Sequence, residues 1–348
     1  MTGISHSQNG EVAGLDAAFM ERAIALAATV RRKVSPNPWV GAVIVAKGEV
    51  VGEGATSPPG GAHAEIAALK QARGAAKGAT CYVTLEPCCH EGRTGSCVDA
   101  LISAGITRVV IATTDPDEQV SGKGIEALRA AHLDVSLGMC QKMVESQLAP
   151  YLKHRRTHRP YVVLKLAMSL DGRIAAPDGT SKFITGIPAQ NDAHELRADS
   201  DAILVGANTV RVDDPSLTVR LEDGNGASDA AVRDPLRVVL GKAAKGARVA
   251  PCLELSGNLG DILDDLGGRG VLQLLVEGGA HVAHGFHRAA LVDHYVFYLA
   301  PALFGGDDAL GAFAGKGAAT LEEMFRGSIT AITRLGEDLR IDLKARAS

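Results

Sequence analysis

The pattern of hydrophobic and polar positions changes its period several times along the chain. Apolar residues recur at helical spacing from Leu15 to Arg31, which predicts an amphipathic first helix. Two short apolar runs follow, at 39–46 and 49–53, and Lys47-Gly48 between them predicts a β-hairpin. Strands and helices then alternate, with helices predicted at 64–73, 98–104 and 124–131 and strands at 81–85 and 108–112. This order predicts an α/β/α sandwich whose site lies at strand ends.

The second half begins with a new strand, Tyr161 to Ala167, and further strands are predicted at 201–205 and 271–276. The third of these ends in Glu277-Gly278-Gly279 and is followed by a helix, Ala280 to Ala289. Glycines between a strand and a helix let the backbone approach a phosphate, and the first N–H groups of the helix point at the anion. Because the run is not G-x-G-x-x-G, a Rossmann fold is disfavoured.

A chain of 348 residues is too long for one typical core and predicts two domains. We expect a disordered tail over 1–14, a first domain over 15–147, a linker over 148–159 and a second domain over 160–348. The basic cluster Tyr151 to Arg159 could be a phosphate or nucleic-acid patch, but it is more typical of a solvated helix end leading into the linker.

Composition narrows the classes of function. The net charge of −4 argues against a general nucleic-acid binder, so small-molecule substrates are expected. No apolar run approaches the ~20 residues that span a bilayer, which predicts no membrane association. The six cysteines cluster rather than pair along the chain, and the polar first 14 residues do not resemble a secretion signal. These features predict a reduced, cytoplasmic protein.

The most specific chemical pattern is His63-Ala64-Glu65 followed by Cys88 and Cys97. Zinc in a catalytic site takes three N/S protein ligands and leaves one position to water. His63, Cys88 and Cys97 are the predicted ligands, and Glu65 is the predicted catalytic acid and base that moves a proton from that water to a leaving amine.

The spacing between the two cysteines departs from the usual deaminase signature, because eight residues separate them instead of two. Cys89 and His90 are therefore rival ligands. Cys97 is favoured because it opens an apolar helical run, as His63 does, and helix N-termini stabilise thiolates. The simpler alternative is an ordinary surface histidine with small buried cysteines.

Several of these motifs together resemble a known family. They are Asn37-Pro38, the run Val40 to Val45, His63-Ala64-Glu65, the run Thr84 to His90, and Gly92-Arg93-Thr94. In this combination the chain resembles the bifunctional deaminase/reductases of bacterial riboflavin biosynthesis, over nearly its whole length. The resemblance implies an α/β chain with a cytidine-deaminase-like sandwich and a C-terminal dihydrofolate-reductase-like α/β domain. It also implies Zn²⁺ in the first domain, NADPH in the second, and a homo-oligomer.

The resemblance further implies two consecutive reactions: hydrolytic deamination of a diaminopyrimidine ribotide, then reduction of its ribosyl group to ribityl. For the deaminase it assigns substrate binding to Asn37, Asp115 and Asp117. His90 and Arg93 lie in the loop between Cys88 and Cys97 and are further predicted substrate contacts, with Arg93 as a partner for a 5′-phosphate.

For the reductase the resemblance assigns roles to three groups of residues. The catalytic residues are Lys165 and Asp213, and Asp213 also lies near the cofactor. The substrate-binding residues are Ser181, Arg197, Leu217, Arg220 and Glu277. The remaining cofactor contacts are Ala167, Phe183, Thr209, Gly278 and Gly279.

The chain also departs from the family pattern in its second half. Phe183 stands where relatives often have Trp, Gly241-Lys242 replaces an Asp-Ser/Thr pair, and 248–267 looks short by a strand–helix unit. Two alternative functions follow: a deaminase whose second domain is degenerate and non-catalytic, or a deaminase that edits nucleic acid.

Overall fold

A computed structural model describes residues 5–89, 95–181, 183–221 and 233–345, with side chains described from residue 14 onward. The chain divides between Thr157 and His158 into two compact units.

The first unit is an α/β sandwich built on one sheet. Its strands are β1 (Gly41–Ala46), β2 (Glu49–Ala55), β3 (Thr80–Leu85), β4 (Arg108–Thr113) and β5 (Asp134–Leu137). Its helices are α1 (Ser5–Ala28), α2 (Arg31–Val34), α3 (Ala64–Ala72), α4 (Cys97–Ser103), α5 (Lys123–Ala130), α6 (Gln141–Gln147) and α7 (Ala149–Thr157).

The strand order of this sheet is β2-β1-β3-β4-β5. The predicted hairpin β1–β2 is antiparallel, whereas β3, β4 and β5 run parallel. Helix α3 packs directly on β2 because that strand carries two glycines. A Cβ on Gly52 would lie 2.3 Å from the carbonyl oxygen of Ala68, and one on Gly54 would lie 2.2 Å from that of Ala64. This close approach fixes where α3 begins.

Two segments of the first unit differ from the sequence-based expectation. Helix α1 begins at Ser5, so residues 5–14 are helical where a tail was expected. Residues 148–159 were expected to be a linker, but helix α7 occupies most of them. Pro150, Tyr151, Leu152 and His154 of α7 are buried, and this apolar contact explains why the segment packs as a helix.

The second unit contains an eight-stranded sheet and a two-stranded one. Its strands are β6 (Tyr161–Ser169), β7 (Arg173–Ala175), β8 (Ala202–Gly206), β9 (Leu236–Leu240), β10 (Leu253–Leu255), β11 (Gln273–Val276), β12 (His294–Ala300), β13 (Leu310–Gly311), β14 (Gly327–Leu335) and β15 (Asp338–Ala345). Its helices are α8 (Ile187–Ala198), α9 (Ala207–Asp213), α10 (Leu259–Gly268) and α11 (Ala280–Arg288).

The large sheet has the order β10-β9-β8-β11-β6-β12-β15-β14, and β7 pairs with β13. The strands from β10 to β12 are parallel, and β15 and β14 continue the sheet antiparallel. Alternate residues of β6 enter two different cores: Val162 and Leu164 pack with α10 and α11, and Val163 packs with α8. Both faces of the parallel part are therefore covered, as parallel sheets require.

The segment 248–267, which looks short by a strand–helix unit when set against the family, contains one such unit, β10 followed by α10. The strand has only three residues, which gives little pattern in the sequence. Asn258 caps α10 by accepting a hydrogen bond from Gly260 N, and Ile262, Leu263 and Leu266 of this helix are buried.

Among the described residues, every helix is too short or too polar to cross a bilayer.

Candidate active sites

Three metal-ligating side chains converge in the first unit. His63 is the N-cap of α3, Cys97 is the first residue of α4, and Cys88 follows β3. The Nδ1 of His63 lies 3.2 Å from Sγ of Cys97 and 3.5 Å from Sγ of Cys88. One ligand atom from each of the three residues falls within 4.8 Å of the others. One nitrogen and two sulfur donors at this separation fit a tetrahedral zinc ion with one open position.

The loop that carries Cys88 is fixed by short-range hydrogen bonds to α4. Ser96 caps α4 by accepting from Asp99 N at 3.2 Å, and its hydroxyl donates to the carbonyl of Cys88 at 3.3 Å. The N–H of Val98 also donates to that carbonyl. Cys88 and Cys97 are thus held close although eight residues separate them in the sequence. Cys89 lies outside the cluster, with its Sγ 3.9 Å from the carbonyl of Gln119.

The carboxylate of Glu86, next to the cysteines, is fully occupied by backbone hydrogen bonds and has a structural role. Its two oxygens accept hydrogen bonds from the N–H groups of Asp115, Gly122, Gly124 and Ile125 at 2.9–3.2 Å. These bonds tie the end of β3 to the loop after β4 and to the first turn of α5. The ends of two neighbouring parallel strands therefore meet at one site, as is usual in α/β sheets.

Glu65 lies in the first turn of α3, two residues after the histidine, and is only 4% exposed. Burial raises the pKa of Glu65 to about 7. A carboxyl group with such a pKa can both accept and release a proton near neutrality. A hydrogen bond from Cys97 lowers the pKa of Cys88, and His63 adds to this effect, which favours the thiolate form that zinc binds.

A cavity of about 240 Å³ opens beside these groups. Asn37, Asp115 and Asp117, three of the predicted substrate contacts, line it together with His63, Glu65 and Cys88. His90 and Arg93, the other two predicted contacts, lie outside the described residues. Thr56 lines the cavity as well, and its Oγ1 accepts a hydrogen bond from Val40 N at 3.0 Å.

Two further lining residues, Tyr151 and Arg155, come from α7 and were not predicted to belong to a site. The hydroxyl of Tyr151 donates to the carboxylate of Asp115, with its oxygen 3.2 and 3.1 Å from the two acceptors. The Arg155 guanidinium lies over the Tyr151 ring, 5.0 Å from its centroid. The one signal in the sequence is their i, i+4 spacing, which places both side chains on the same face of a helix.

The second unit has a cavity of about 280 Å³ at the carboxyl ends of β6, β8 and β11. Most of the predicted reductase residues line it: Lys165, Ala167, Ser181, Thr209, Asp213, Glu277, Gly278 and Gly279. The hydroxyl of Ser181 donates to Asp213 at 3.0 Å. Gly279 caps the nine-residue helix α11, whose first N–H groups and glycine backbone form a cradle that fits a cofactor phosphate.

A smaller cavity of about 140 Å³ is also lined by Lys165, with Arg197, Arg220 and His194 around it. The Arg197 guanidinium makes two contacts with Glu277, and Nζ of Lys165 lies 3.7 Å from the same carboxylate. Burial alone would raise the pKa of Glu277, but Arg197 and Lys165 lower it to about 2. Three cationic side chains therefore surround this cavity, which suits an anionic substrate group.

His194 and Tyr298 line the smaller cavity without having been predicted. Arg220 N donates to Nδ1 of His194 at 3.2 Å, and burial, together with Arg197 and Arg220, lowers the pKa of His194 to about 4. Tyr298 donates to Asp192 at 2.5 Å, and its ring lies beneath Lys165, with Nζ 5.7 Å from the centroid. Both residues sit in elements remote in sequence from the glycine turns, so no local motif marks them.

Some predicted reductase residues lie elsewhere. The Leu217 side chain is 3% exposed and packs in the core, and it lines neither cavity. Phe183 is 82% exposed and also lies outside both cavities. Gly241 and Lys242 line neither of them.

Comparison with protein families assigns both units. Residues 14–113 match the family described as the cytidine and deoxycytidylate deaminase zinc-binding region. Residues 160–340 match the RibD C-terminal domain. The second match covers more than half of the chain, and the first includes His63, Glu65, Cys88 and Cys97.

Similar proteins match nearly the whole length of the chain. Riboflavin biosynthesis protein RibD of Aquifex aeolicus is 37% identical, over 95% of this chain and 98% of the relative. Among solved structures, Acinetobacter baumannii RibD has a TM-score of 0.90 at 34% identity, covering 96% of this chain and all of that one. A Thermotoga maritima structure, described as a diaminohydroxyphosphoribosylaminopyrimidine deaminase/5-amino-6-(5-phosphoribosylamino)uracil reductase, has a TM-score of 0.87 at 32% identity and covers 96% of this chain and 99% of that one. The chain therefore belongs to the RibD family of bifunctional riboflavin biosynthesis enzymes, in which a zinc-dependent deaminase is joined to an NADPH-dependent reductase.

Proposed function

We propose that the first unit removes the 2-amino group of 2,5-diamino-6-(5-phosphoribosylamino)pyrimidin-4(3H)-one, and that the second unit reduces the ribosyl group of the product. The substrate names follow from the Thermotoga maritima relative. The observation that carries the deaminase part is the His63, Cys88 and Cys97 cluster beside a buried Glu65.

In the deaminase, His63, Cys88 and Cys97 hold the zinc ion. Bound zinc acts as a Lewis acid that makes a water molecule nucleophilic at neutral pH. Glu65 accepts a proton from the attacking water and delivers it to the departing amino nitrogen, so that ammonia leaves as a neutral molecule. The raised pKa of Glu65 supports this exchange, since the carboxyl group must change protonation state twice in each turnover.

Substrate orientation in the deaminase falls to Asn37, Asp115 and Asp117, which line the cavity. Tyr151 and the N–H of Asp117 fix the Asp115 carboxylate, so that it points in one direction before the substrate arrives. His90 and Arg93 keep their assigned roles as predictions.

In the reductase, Gly278, Gly279, Thr209 and Ala167 hold NADPH at the strand ends. The reduction adds a hydride from NADPH to the ribosyl carbon and a proton to the ring oxygen, which opens the ring. Lys165 supplies that proton, and Glu277 and the Tyr298 ring keep its ammonium group in place. Asp213 and Ser181 position the sugar, while Arg197 and Arg220 bind its phosphate.

The test is a single assay with zinc-loaded protein, the diaminopyrimidine ribotide and NADPH, following ammonia release and NADPH oxidation together. Equal yields of the two products are expected. Ammonia without NADPH oxidation would leave only a deaminase with a non-catalytic second unit, and the absence of both products would contradict the proposed function.

A homo-oligomer also belongs to this proposal. Strand β14 is the edge of the large sheet, and its interior positions are all exposed, including Ile329 and Ile332 at 57% and 61%. Exposed apolar side chains on an unpaired edge favour association. Sedimentation analysis tests for this oligomer, and a monomer at micromolar concentration would contradict it.

Two further expectations remain predictions: that the substrates are free ribotides rather than nucleic acid, and that the protein is cytoplasmic.

A further inference from the structure

Helix α7 is part of the deaminase cavity although it lies outside both family matches, which end at residue 113 and begin at residue 160. The helix belongs to the first unit, and it buries the ring of Tyr151. Tyr151 and Arg155 are one helical turn apart and both line the cavity. Residues beyond the zinc motifs therefore complete this site.

The cavity has an unbalanced charge. Four acidic side chains line it: Glu65, Glu86, Asp115 and Asp117. Arg155 is the one Arg or Lys side chain among its described lining residues. A substrate that carries a phosphate would meet a repulsive field here unless a cation lay close to the phosphate.

The guanidinium of Arg155 is held in one orientation, but its hydrogen-bond donors are not all used. Its Nε lies 3.4 Å from Oδ2 of Asp117, and within the described residues this buried nitrogen has no hydrogen-bond partner. The other oxygen of Asp117 accepts a hydrogen bond from Gln119 N at 3.0 Å. The stacked Tyr151 ring keeps the guanidinium at the cavity wall. Arg155 therefore has an unused donor and a loose partner.

We propose that Arg155 binds the phosphate of the deaminase substrate and makes the cavity selective for a phosphorylated nucleoside over the free nucleoside. A phosphate group offers Arg a two-point, charge-assisted contact that is stronger than the 3.4 Å approach to Asp117. Asp117 holds the guanidinium in place until the phosphate arrives. Tyr151 is a positioning residue, since it fixes both Asp115 and the guanidinium. The inference rests on the proposed deaminase function.

The test compares full-length, zinc-loaded wild type with Arg155→Gln and Arg155→Lys, and follows ammonia release from the ribotide and from its dephosphorylated riboside. For Arg155→Gln we expect KM for the ribotide to rise about 10- to 100-fold, with kcat within about threefold, and no comparable change for the riboside. Arg155→Lys should recover part of the loss, because it restores the charge without the planar fork. Arg156→Gln is the matched control, since its side chain is exposed on the same helix.

The outcomes distinguish a failure of the proposed deaminase function from a failure of the phosphate role of Arg155. If wild-type protein does not deaminate the ribotide, the proposed function itself fails. If wild type is active and Arg155→Gln is equally active on the ribotide, or loses activity equally on both compounds, the phosphate role is wrong. If Arg155→Gln loses zinc or folds poorly, the phosphate role is tested instead with Arg155→Lys and with ribose 5-phosphate as a competitive inhibitor of deamination by wild-type protein. A full loss of ribotide preference in Arg155→Glu is expected, and its retention would overturn the proposal.

Discussion

Arg197 holds Glu277 in a two-point ion pair, with Nε 2.6 Å from Oε1 and Nη2 2.9 Å from Oε2. The arginine comes from α8 and the glutamate follows β11, so the pair joins two elements far apart in sequence. Lys165 approaches the same carboxylate from β6. The pair therefore sets the position of the proposed proton donor in the reductase.

Glu277→Gln should reduce NADPH oxidation about 100-fold, because Lys165 and Arg197 lose the negative charge that orients them. Removing one partner of a buried pair also costs about 3–5 kcal/mol of stability. Ammonia release by the same protein is the internal control and should be unchanged. Normal reduction by a Glu277→Gln variant would show that the carboxylate has no part in positioning Lys165.

Glu65→Gln should lower the rate of ammonia release by about 10²- to 10⁴-fold, because the amide cannot accept the proton. Zinc content, measured by atomic absorption, should stay at one ion per chain, since Glu65 is not a ligand. Glu126→Gln, on the exposed side of α5, serves as a comparison and should be fully active. Loss of zinc from Glu65→Gln would instead make this residue part of the metal site.

Cys97→Ser should lose zinc and deaminase activity together, while Cys89→Ser should keep both. Only Cys97 places its sulfur 3.2 Å from Nδ1 of His63, and Cys89 lies outside the cluster. Metal content after dialysis against a chelator distinguishes the variants. The reverse result would exchange the roles of the two cysteines.

Local patterns predicted the elements that carry the zinc site. The hairpin, α3, β3 and α4 all lie where the periodicity placed them, within two residues. The preference for Cys97 over Cys89 came from helix position, and the hydrogen bonds from Ser96 and Val98 to Cys88 give its physical basis. Short-range signals sufficed because each ligand stands at the end of a regular element.

Features that depend on distant contacts were not predictable from sequence. The polar, basic segment 148–159 looked like a linker, since nothing local showed that Tyr151 would be buried against Asp115. The eight-stranded sheet includes β9, β12, β14 and β15, which the sequence did not indicate, because β-structure depends on pairing partners more than on propensity. His194 likewise acquires its role only when Arg220 folds over it.

Gly278→Ala should weaken NADPH binding and destabilise the second unit by about 1–3 kcal/mol. Its new Cβ would lie 2.5 Å from Cβ of Val282, on the helix that forms the cofactor cradle. Gly279→Ala is the matched comparison, since its Cβ would come no closer than 3.7 Å, to Oγ1 of Thr209. A loss of NADPH affinity in Gly279→Ala would therefore come from the cofactor contact and not from strain. The double variant Gly278→Ala with Val282→Ala should recover stability, and failure to do so would exclude the clash as the cause.

His194→Asn should make the stability of the second unit less dependent on pH. In the folded protein the pKa of His194 is about 4, below its usual value of 6.5, because of burial and of Arg197 and Arg220. The unfolded chain therefore binds the proton more readily, so the stabilising contribution is complete above pH 6.5 and is lost as the pH falls toward 4, with a slope of at most about 1.4 kcal/mol per pH unit. Hydrogen exchange of α8 between pH 4 and 8 measures this slope after correction for the intrinsic rates. His132→Asn, at an exposed position of the first unit, should leave it unchanged. An undiminished slope in His194→Asn would mean that another group in the second unit takes up the proton.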